Sequence, residues 1–223
     1  MVTNAAVRPH QRYRLANGSP VPGVTTVLGI INKPALASWA NRLGLQGTNS
    51  TEYVNDLAAS GTLAHSLIES SLTGITAMIG DYSPEQIRRA QNALASFQTW
   101  ARDKRLETRQ TELSLVSEAH GYGGTLDWYG TVNGLPTLID FKTSAAIYDD
   151  HLYQLAAYHQ LLIEDGHEVS EARVLRLSRD EDAEFSEKVI PASGLAPYWQ
   201  VCKAALALHR AIAATKPAKG RRW

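Results

Sequence analysis

The chain has 223 residues, with 22 Lys and Arg balanced by 22 Asp and Glu, for a formal net charge of zero. That balance excludes recognition of nucleic acid or membrane by bulk charge, while leaving room for a local basic patch. The single cysteine, Cys202, excludes an intrachain disulfide framework and leaves a cysteine-bound zinc or iron–sulfur cluster without ligands.

A buried, inert thiol is the expected state of Cys202. The first residues, MVTNAAVRPHQRYRL, lack the apolar core of a secretory signal, and no apolar run approaches membrane-spanning length. A cytoplasmic setting is the default expectation. The length suits one large domain.

In chain order, residues 1–12 are polar and expected to be loose. NGSPVPG (17–23) is turn-rich. A helix is expected from Thr25 or Thr26, stopping before Pro34, which itself suits the first turn of a second helix ending at Gly44. A longer helix is expected from Tyr53 to Leu72. At Ser83 the start signal is strongest: Ser83 can cap, Pro84 suits the first position, and Gln86 completes a capping box. Ile87, Ala90, Leu94, Phe97 and Ala101 then recur at helical spacing.

The texture changes after residue 105. TELSLVS (111–117), GTLDWYGTV (124–132) and LPTLIDFKT (135–143) read as a β-meander. A helix follows over DDHLYQLAAYHQLLIED to Gly166, then strands over 171–178 and 184–191. A closing helix spans Leu195 to Ala214, followed by a basic tail. The expected architecture is α/β (α+β): a mixed central sheet flanked by helices, with an N-terminal helical elaboration. Within one domain of 1–223, residues 1–105 form the mainly helical part, 106–215 the sheet-containing core, and 216–223 the basic tail.

Two aspartates sit in the meander where strands disfavour them, Asp127 and Asp140, with Lys142 two residues after the second. Asn133-Gly134 is a strong hairpin signal. A two-residue turn places Val132 opposite Leu135, and counting outward places Asp127 opposite Asp140 and Thr125 opposite Lys142. Cβ atoms of such a pair are about 4.5–5.5 Å apart. Facing carboxylates repel and require a cation or a shared proton. Lys142, on the same face, supplies part of that charge; magnesium or manganese would supply more. A solvated face holding an Asp–Lys ion pair is the alternative, and a bulge would break the register. Because LPTLIDFKT is apolar on both faces, a covered central strand is favoured.

These residues resemble the PD-(D/E)XK nuclease superfamily in its RecB-type branch, which has a restriction-endonuclease-like core. Asp127 matches the first Asp, and Asp140-Phe141-Lys142 the (Asp/Glu)-X-Lys motif. GTLAH supplies Gly61, Thr62 and His65 for the branch's GTxxH motif, and YQLAAY supplies Gln154 and Tyr158 for QxxxY. The four motifs fall in order across residues 61–158. PGVTTVLGIINKPALASWANRLG is similar to the PSVTT-type lead segment of exonucleases related to the mitochondrial genome maintenance exonuclease and its phage and bacterial relatives, with Gly23 in place of Ser. Cluster-bearing members use four cysteines, which this chain lacks.

The resemblance implies a metal-dependent DNA exonuclease acting on DNA ends, with single-stranded ends favoured and repair or recombination as its setting. A duplex-end recombination exonuclease, a structure-specific endonuclease and a non-catalytic nucleic-acid-binding module are the alternatives. The resemblance implies Asp127, Asp140, His65 and the Phe141 carbonyl as ligands of Mg2+ or Mn2+, with Lys142 orienting or deprotonating water, or stabilising the charge that develops on the phosphate. Burial and a metal would lower the Lys142 pKa for that task. Gln154 and Tyr158 would lie beside the site, or form a polar seam at a helix–sheet contact.

Glu69, one turn from His65, serves the site or a solvated helix face equally well. Glu112 is a reserve ligand whose facing depends on the HGYGG connection. Arg88, Arg89, Arg102, Lys104 and Arg105, and Lys216, Lys219, Arg221 and Arg222 in the tail, offer phosphate contacts or solvated faces. Trp39, Tyr53 and Trp128 offer stacking surfaces or core.

Overall fold

The computed structural model describes residues 12–216. The expectations for residues 217–223 of the basic tail, and for residues 1–11, fall outside the described residues. Five strands, β3 (Leu106–Ser117), β4 (Tyr122–Val132), β5 (Leu135–Lys142), β6 (Glu171–Leu177) and β7 (Phe185–Pro191), form one sheet in the order β3-β4-β5-β6-β7. Only β5 and β6 run parallel, because α5 (Asp149–Glu164) carries the chain across between them. The mixed sheet flanked by helices is the architecture expected from the sequence.

On one face, α3 (Ser50–Thr73) and α4 (Pro84–Ala101) cover a core containing Leu63, Ile68, Phe97, Trp100, Trp128, Ile139 and Phe141. On the other, α5, α6 (Ala196–Ala214) and the short α1 (Val24–Leu28) cover Leu126, Leu138, Leu155, Leu161 and Val174. Side-chain caps start the two helices of the first face. Asn49 accepts the Thr51 and Glu52 amides, and the Ser83–Gln86 capping box closes both ways. Each such cap contributes about 1 kcal/mol. Gly74, at φ 76°, ends α3 in a conformation that costs glycine nothing.

Several elements differ from the sequence reading. α2 (Pro34–Leu45) passes one residue beyond Gly44 and has no buried residue; Trp39 meets Tyr53 of α3 with ring centroids 6.0 Å apart. β3 starts at Leu106, earlier than expected, with a register shift between Thr108 and Gln110 that absorbs the extra length. The turn-rich N-terminal stretch contains a two-strand hairpin, β1 (Tyr13–Arg14) with β2 (Pro20–Val21), too short to show alternation in the sequence. Trp128 is 1% exposed and donates to Thr108 Oγ1, so it is core and no stacking surface.

Candidate functional site

The β4–β5 hairpin turns at Asn133 and Gly134, both with positive φ, as a tight two-residue turn requires. The expected register holds from Val132–Leu135 to Trp128–Ile139, and there the pairing ends. Asp127 and Asp140 are therefore not a cross-strand pair, and Thr125 pairs with Ser114 of β3 rather than standing opposite Lys142. The cause is visible at Phe141. Its amide donates to Asp127 Oδ2 at 2.7 Å, so a side-chain carboxylate takes a ladder amide and the strands part. β4 stays bonded to β3, and β5 stays bonded to β6 as far as Lys142–Arg176. The ladder between β4 and β5 is thus interrupted at Asp127, Asp140 and Lys142.

β3 and β4 both reverse face at this level. Leu126 packs under α5 while Trp128, two residues on, packs under α3 and α4. Two residues apart in a regular strand share a face. Across from them, Leu113 packs on the α5 side while Thr111 Oγ1 bonds Glu69 of α3 at 3.1 Å. The reversal falls at Glu112 and Asp127, the position skipped in the β3–β4 register, and Glu112 has φ 48°. A non-glycine residue held there stores backbone strain of about 1–3 kcal/mol.

The reversal turns Asp127 toward α3. His65 Nδ1 lies 3.2 Å from Asp127 Oδ1, and the imidazole meets the Phe141 ring edge-on at 6.1 Å. One ligand atom from each of His65, Glu112 and Asp127 lies within 4.8 Å of the others, a spacing that suits one cation. Gly61 packs α3 tightly against the residue after Lys142: a Cβ there would sit 3.1 Å from Thr143 Oγ1. Of the expected metal ligands, the structure brings His65 and Asp127 together and adds Glu112. Asp140 stands outside that trio, and it is the amide of Phe141 that is engaged here, by Asp127.

Asp140 is 1% exposed, and Lys142 Nζ lies 2.6 Å from its Oδ2. The approach misses hydrogen-bond alignment, so this buried oxygen has no aligned donor. Burial, opposed by Lys142 and reinforced by the Asp127 charge, pushes the Asp140 pKa up to about 6. Asp127 moves the other way: burial works against it, but His65, Lys142 and the Phe141 amide hold it below the usual carboxylate range. Burial pulls His65 down, and Asp127 outweighs this and raises it.

For Lys142, two carboxylates compete with burial. Burial pulls its pKa down, but the Asp140 and Asp127 carboxylates outweigh it, so the pKa rises. Without a metal, the two carboxylates favour the ammonium form of Lys142.

Gln154 and Tyr158 sit one turn apart on α5, where Gln154 Nε2 donates to Tyr158 Oη at 2.6 Å. Burial first, then the Asp140 and Asp127 charges, raises the Tyr158 pKa well above its ordinary value. Tyr158 stays a phenol, and its own O–H remains free to donate. Gly124 allows this packing, since a Cβ there would lie 2.6 Å from the Tyr158 ring.

The sequence reading missed Tyr13. Its Oη shares a hydrogen bond with Thr125 Oγ1 at 2.9 Å, which in turn meets Ser114 Oγ at 2.8 Å. Its ring lies over Gly123, where a Cβ would fall 2.3 Å away. Nothing in the pattern of RYRL separates this tyrosine from its polar neighbours. Glu112 had a findable signal. Gly121, at φ 61°, closes a four-residue loop between Ser117 and Tyr122, and counting back from that pair puts Glu112 opposite Asp127.

The basic residues expected to meet phosphate are mostly engaged. Arg88 bonds Glu85 and Glu181, Arg89 bonds Asp56 and Glu85, Arg105 bonds Glu107, and Lys104 bonds the Trp100 carbonyl. A cavity of about 420 Å3, lined by Thr62, Ser66, Glu69, Met78 and Tyr82 among others, lies along the flank of α3 next to the trio but contains none of its members.

No family model matches the chain, and no curated protein matches it. Among solved structures it is similar to a candidate exonuclease from Eubacterium rectale, at 10% identity and TM-score 0.45 over 74% of this chain and 76% of that one. It is also similar to the alkaline exonuclease LHK-Exo from Laribacter hongkongensis, at 13% identity and TM-score 0.35 over 86% of this chain and 92% of that one. LHK-Exo in complex with dAMP matches at 15% identity and TM-score 0.32 over 69% and 85% of the two chains. These likenesses are slight, and what the site can do follows from its own geometry.

Proposed function

We propose that the chain is a metal-dependent deoxyribonuclease of the PD-(D/E)XK type, a single nuclease domain that hydrolyses phosphodiester bonds at DNA ends. The observation that carries this reading is the convergence of His65, Glu112 and Asp127 where β4 and β5 part, with the buried Asp140–Lys142 pair beside them. The ordered GTxxH, Asp, Asp-X-Lys and QxxxY residues support it.

The donor set fits a hard divalent cation. Two carboxylates and an imidazole converge, and the buried Asp140 Oδ2 lacks an aligned donor. His65, Glu112 and Asp127 would hold the ion, with Asp140 as the adjoining ligand, and the imidazole favours manganese over magnesium. When bound, the ion supplies an activated water and neutralises charge on the phosphate.

The protein's own groups do the rest. Lys142, as an ammonium, positions the attacking water and stabilises negative charge gathering on the phosphoryl oxygens. The Asp127 carboxylate, fixed by the Phe141 amide, keeps its orientation without reorganising during reaction. Tyr158, oriented by Gln154, donates its O–H toward the carboxylates or the substrate.

A linear single strand, a linear duplex and a closed circle, each incubated with Mg2+ or Mn2+, test the function. The reading expects cleavage of substrates with ends, favouring the single strand, with EDTA abolishing it. Cleavage of the circle would favour the endonuclease reading. EDTA-insensitive binding with no cleavage would favour a binding module.

A further inference from the structure

Four described arginines are partly buried: Arg89, Arg173, Arg176 and Arg179. Arg89 bonds Asp56 and Glu85; Arg173 bonds Glu171 and Glu187; Arg176 donates its Nε–H to the Ser144 carbonyl. Among the described residues, only the Arg179 guanidinium of these four has no hydrogen-bond or ion-pair partner. Its backbone is nevertheless fixed: Asn92 of α4 donates to its carbonyl at 2.9 Å, and Ser96 bonds the adjoining Ser178 carbonyl at 3.3 Å. A guanidinium withdrawn in part from water and left without an anion is costly unless a ligand completes it. Burial is the main cause that lowers the Arg179 pKa; after it come Tyr53, which raises it, Arg89, which lowers it, Asp180, which raises it, and Arg176, which lowers it.

The position also points to a ligand. Arg176 is the parallel-register neighbour of Lys142, and Arg179 follows three residues later, past the end of β6. Arg179 therefore lies in the connection that leaves the same end of β6 at which Arg176 stands beside Lys142. Tyr53 of α3, 39% exposed, is within electrostatic reach of Arg179.

We infer that Arg179, at the head of the β6–β7 connection, binds a backbone phosphate of the nucleic-acid strand one or more nucleotides away from the scissile bond. The identity of the ligand rests on the nuclease reading above. A planar fork with five donors suits a phosphodiester, and its fixed backbone pre-orders the contact.

Binding of a labelled single-stranded oligonucleotide in EDTA, followed by fluorescence anisotropy across a salt series, tests this. Each phosphate neutralised on a single strand contributes about 0.7 to the slope of log affinity against log salt. Arg179→Gln is expected to weaken binding several-fold and lower the slope by about 0.7, and Arg179→Lys to restore most of the slope. Thermal unfolding of both variants checks that they fold. Unchanged affinity and slope in a folded Arg179→Gln protein overturn the inference. Metal-dependent cleavage by the wild-type chain, measured on the same oligonucleotide, judges the nuclease reading separately. Cleavage without an Arg179 effect removes only this inference, and an Arg179 effect without cleavage removes only the catalytic claim.

Discussion

Replacing Asp140 with asparagine should stabilise the fold while destroying activity. In the folded chain the Asp140 pKa is pushed up to about 6 from 3.8, so its ionised form is disfavoured by folding. At neutral pH a shift of roughly 2 units corresponds to an upper limit of about 3 kcal/mol of destabilisation. The Lys142 attraction is already contained in that raised value, so removing the Asp140 charge recovers the penalty, and Lys142 is left facing Asp127 and, more weakly, Asp150. The expectation for Asp140→Asn is a gain in stability of at most about 3 kcal/mol at pH 7.5 without metal, read by urea unfolding in EDTA.

The pH dependence provides an internal check. A carboxyl whose folded pKa is raised is destabilising above that pKa, and the penalty disappears as pH falls through about 6 toward 3.8. The advantage of Asp140→Asn should therefore shrink at pH 5 and vanish near pH 4. A variant less stable than wild type at pH 7.5 would refute the reasoning, because the Asp140–Lys142 pair would then be holding the fold together.

Other expectations follow from single contacts. Glu112→Gln removes one member of the trio and should weaken Mn2+ binding by about tenfold or more in calorimetry, with the fold retained. Gly123→Ala would drive a Cβ into the Tyr13 ring, so the β1–β2 hairpin should detach, seen as faster proteolysis before β3 and a loss of about 1–3 kcal/mol. His151 has its pKa lowered to about 4, by burial first and by Lys142 second, while its Nδ1 accepts the Tyr148 amide. A depressed histidine contributes stability that is fully present above its unfolded value near 6.5 and is lost as pH falls toward 4. His151→Gln should flatten that part of the urea-unfolding profile, and an unchanged slope would rule His151 out as its source.

How far the sequence reveals this molecule depends on the range of the forces involved. Helix α4 is legible because its start signal, Ser83, Pro84 and Gln86, lies within four consecutive residues, and the structure closes that capping box. The hairpin register is legible as far as Trp128–Ile139 because the Asn133-Gly134 turn propagates it one ladder bond at a time. It fails where a side chain intervenes: the Asp127 carboxylate captures the Phe141 amide, and no count along two strands anticipates that. Tyr13 was hidden for a related reason. Its partners Thr125 and Gly123 are more than a hundred residues away, and its own strand has two residues. The direction of the Lys142 shift could not be read either, since it depends on two carboxylates in space outweighing burial.

The central claim is that the residues gathered between β4 and β5 form a divalent-metal phosphodiesterase centre. The most direct measurement is release of nucleotides from an end-labelled single strand in Mn2+, comparing the wild-type chain with Lys142→Ala and Asp140→Ala. The account predicts cleavage by the wild type that EDTA stops, and loss of essentially all of it in both folded variants. Full activity in either variant, or no metal-dependent cleavage by the wild type on any DNA end, would contradict it.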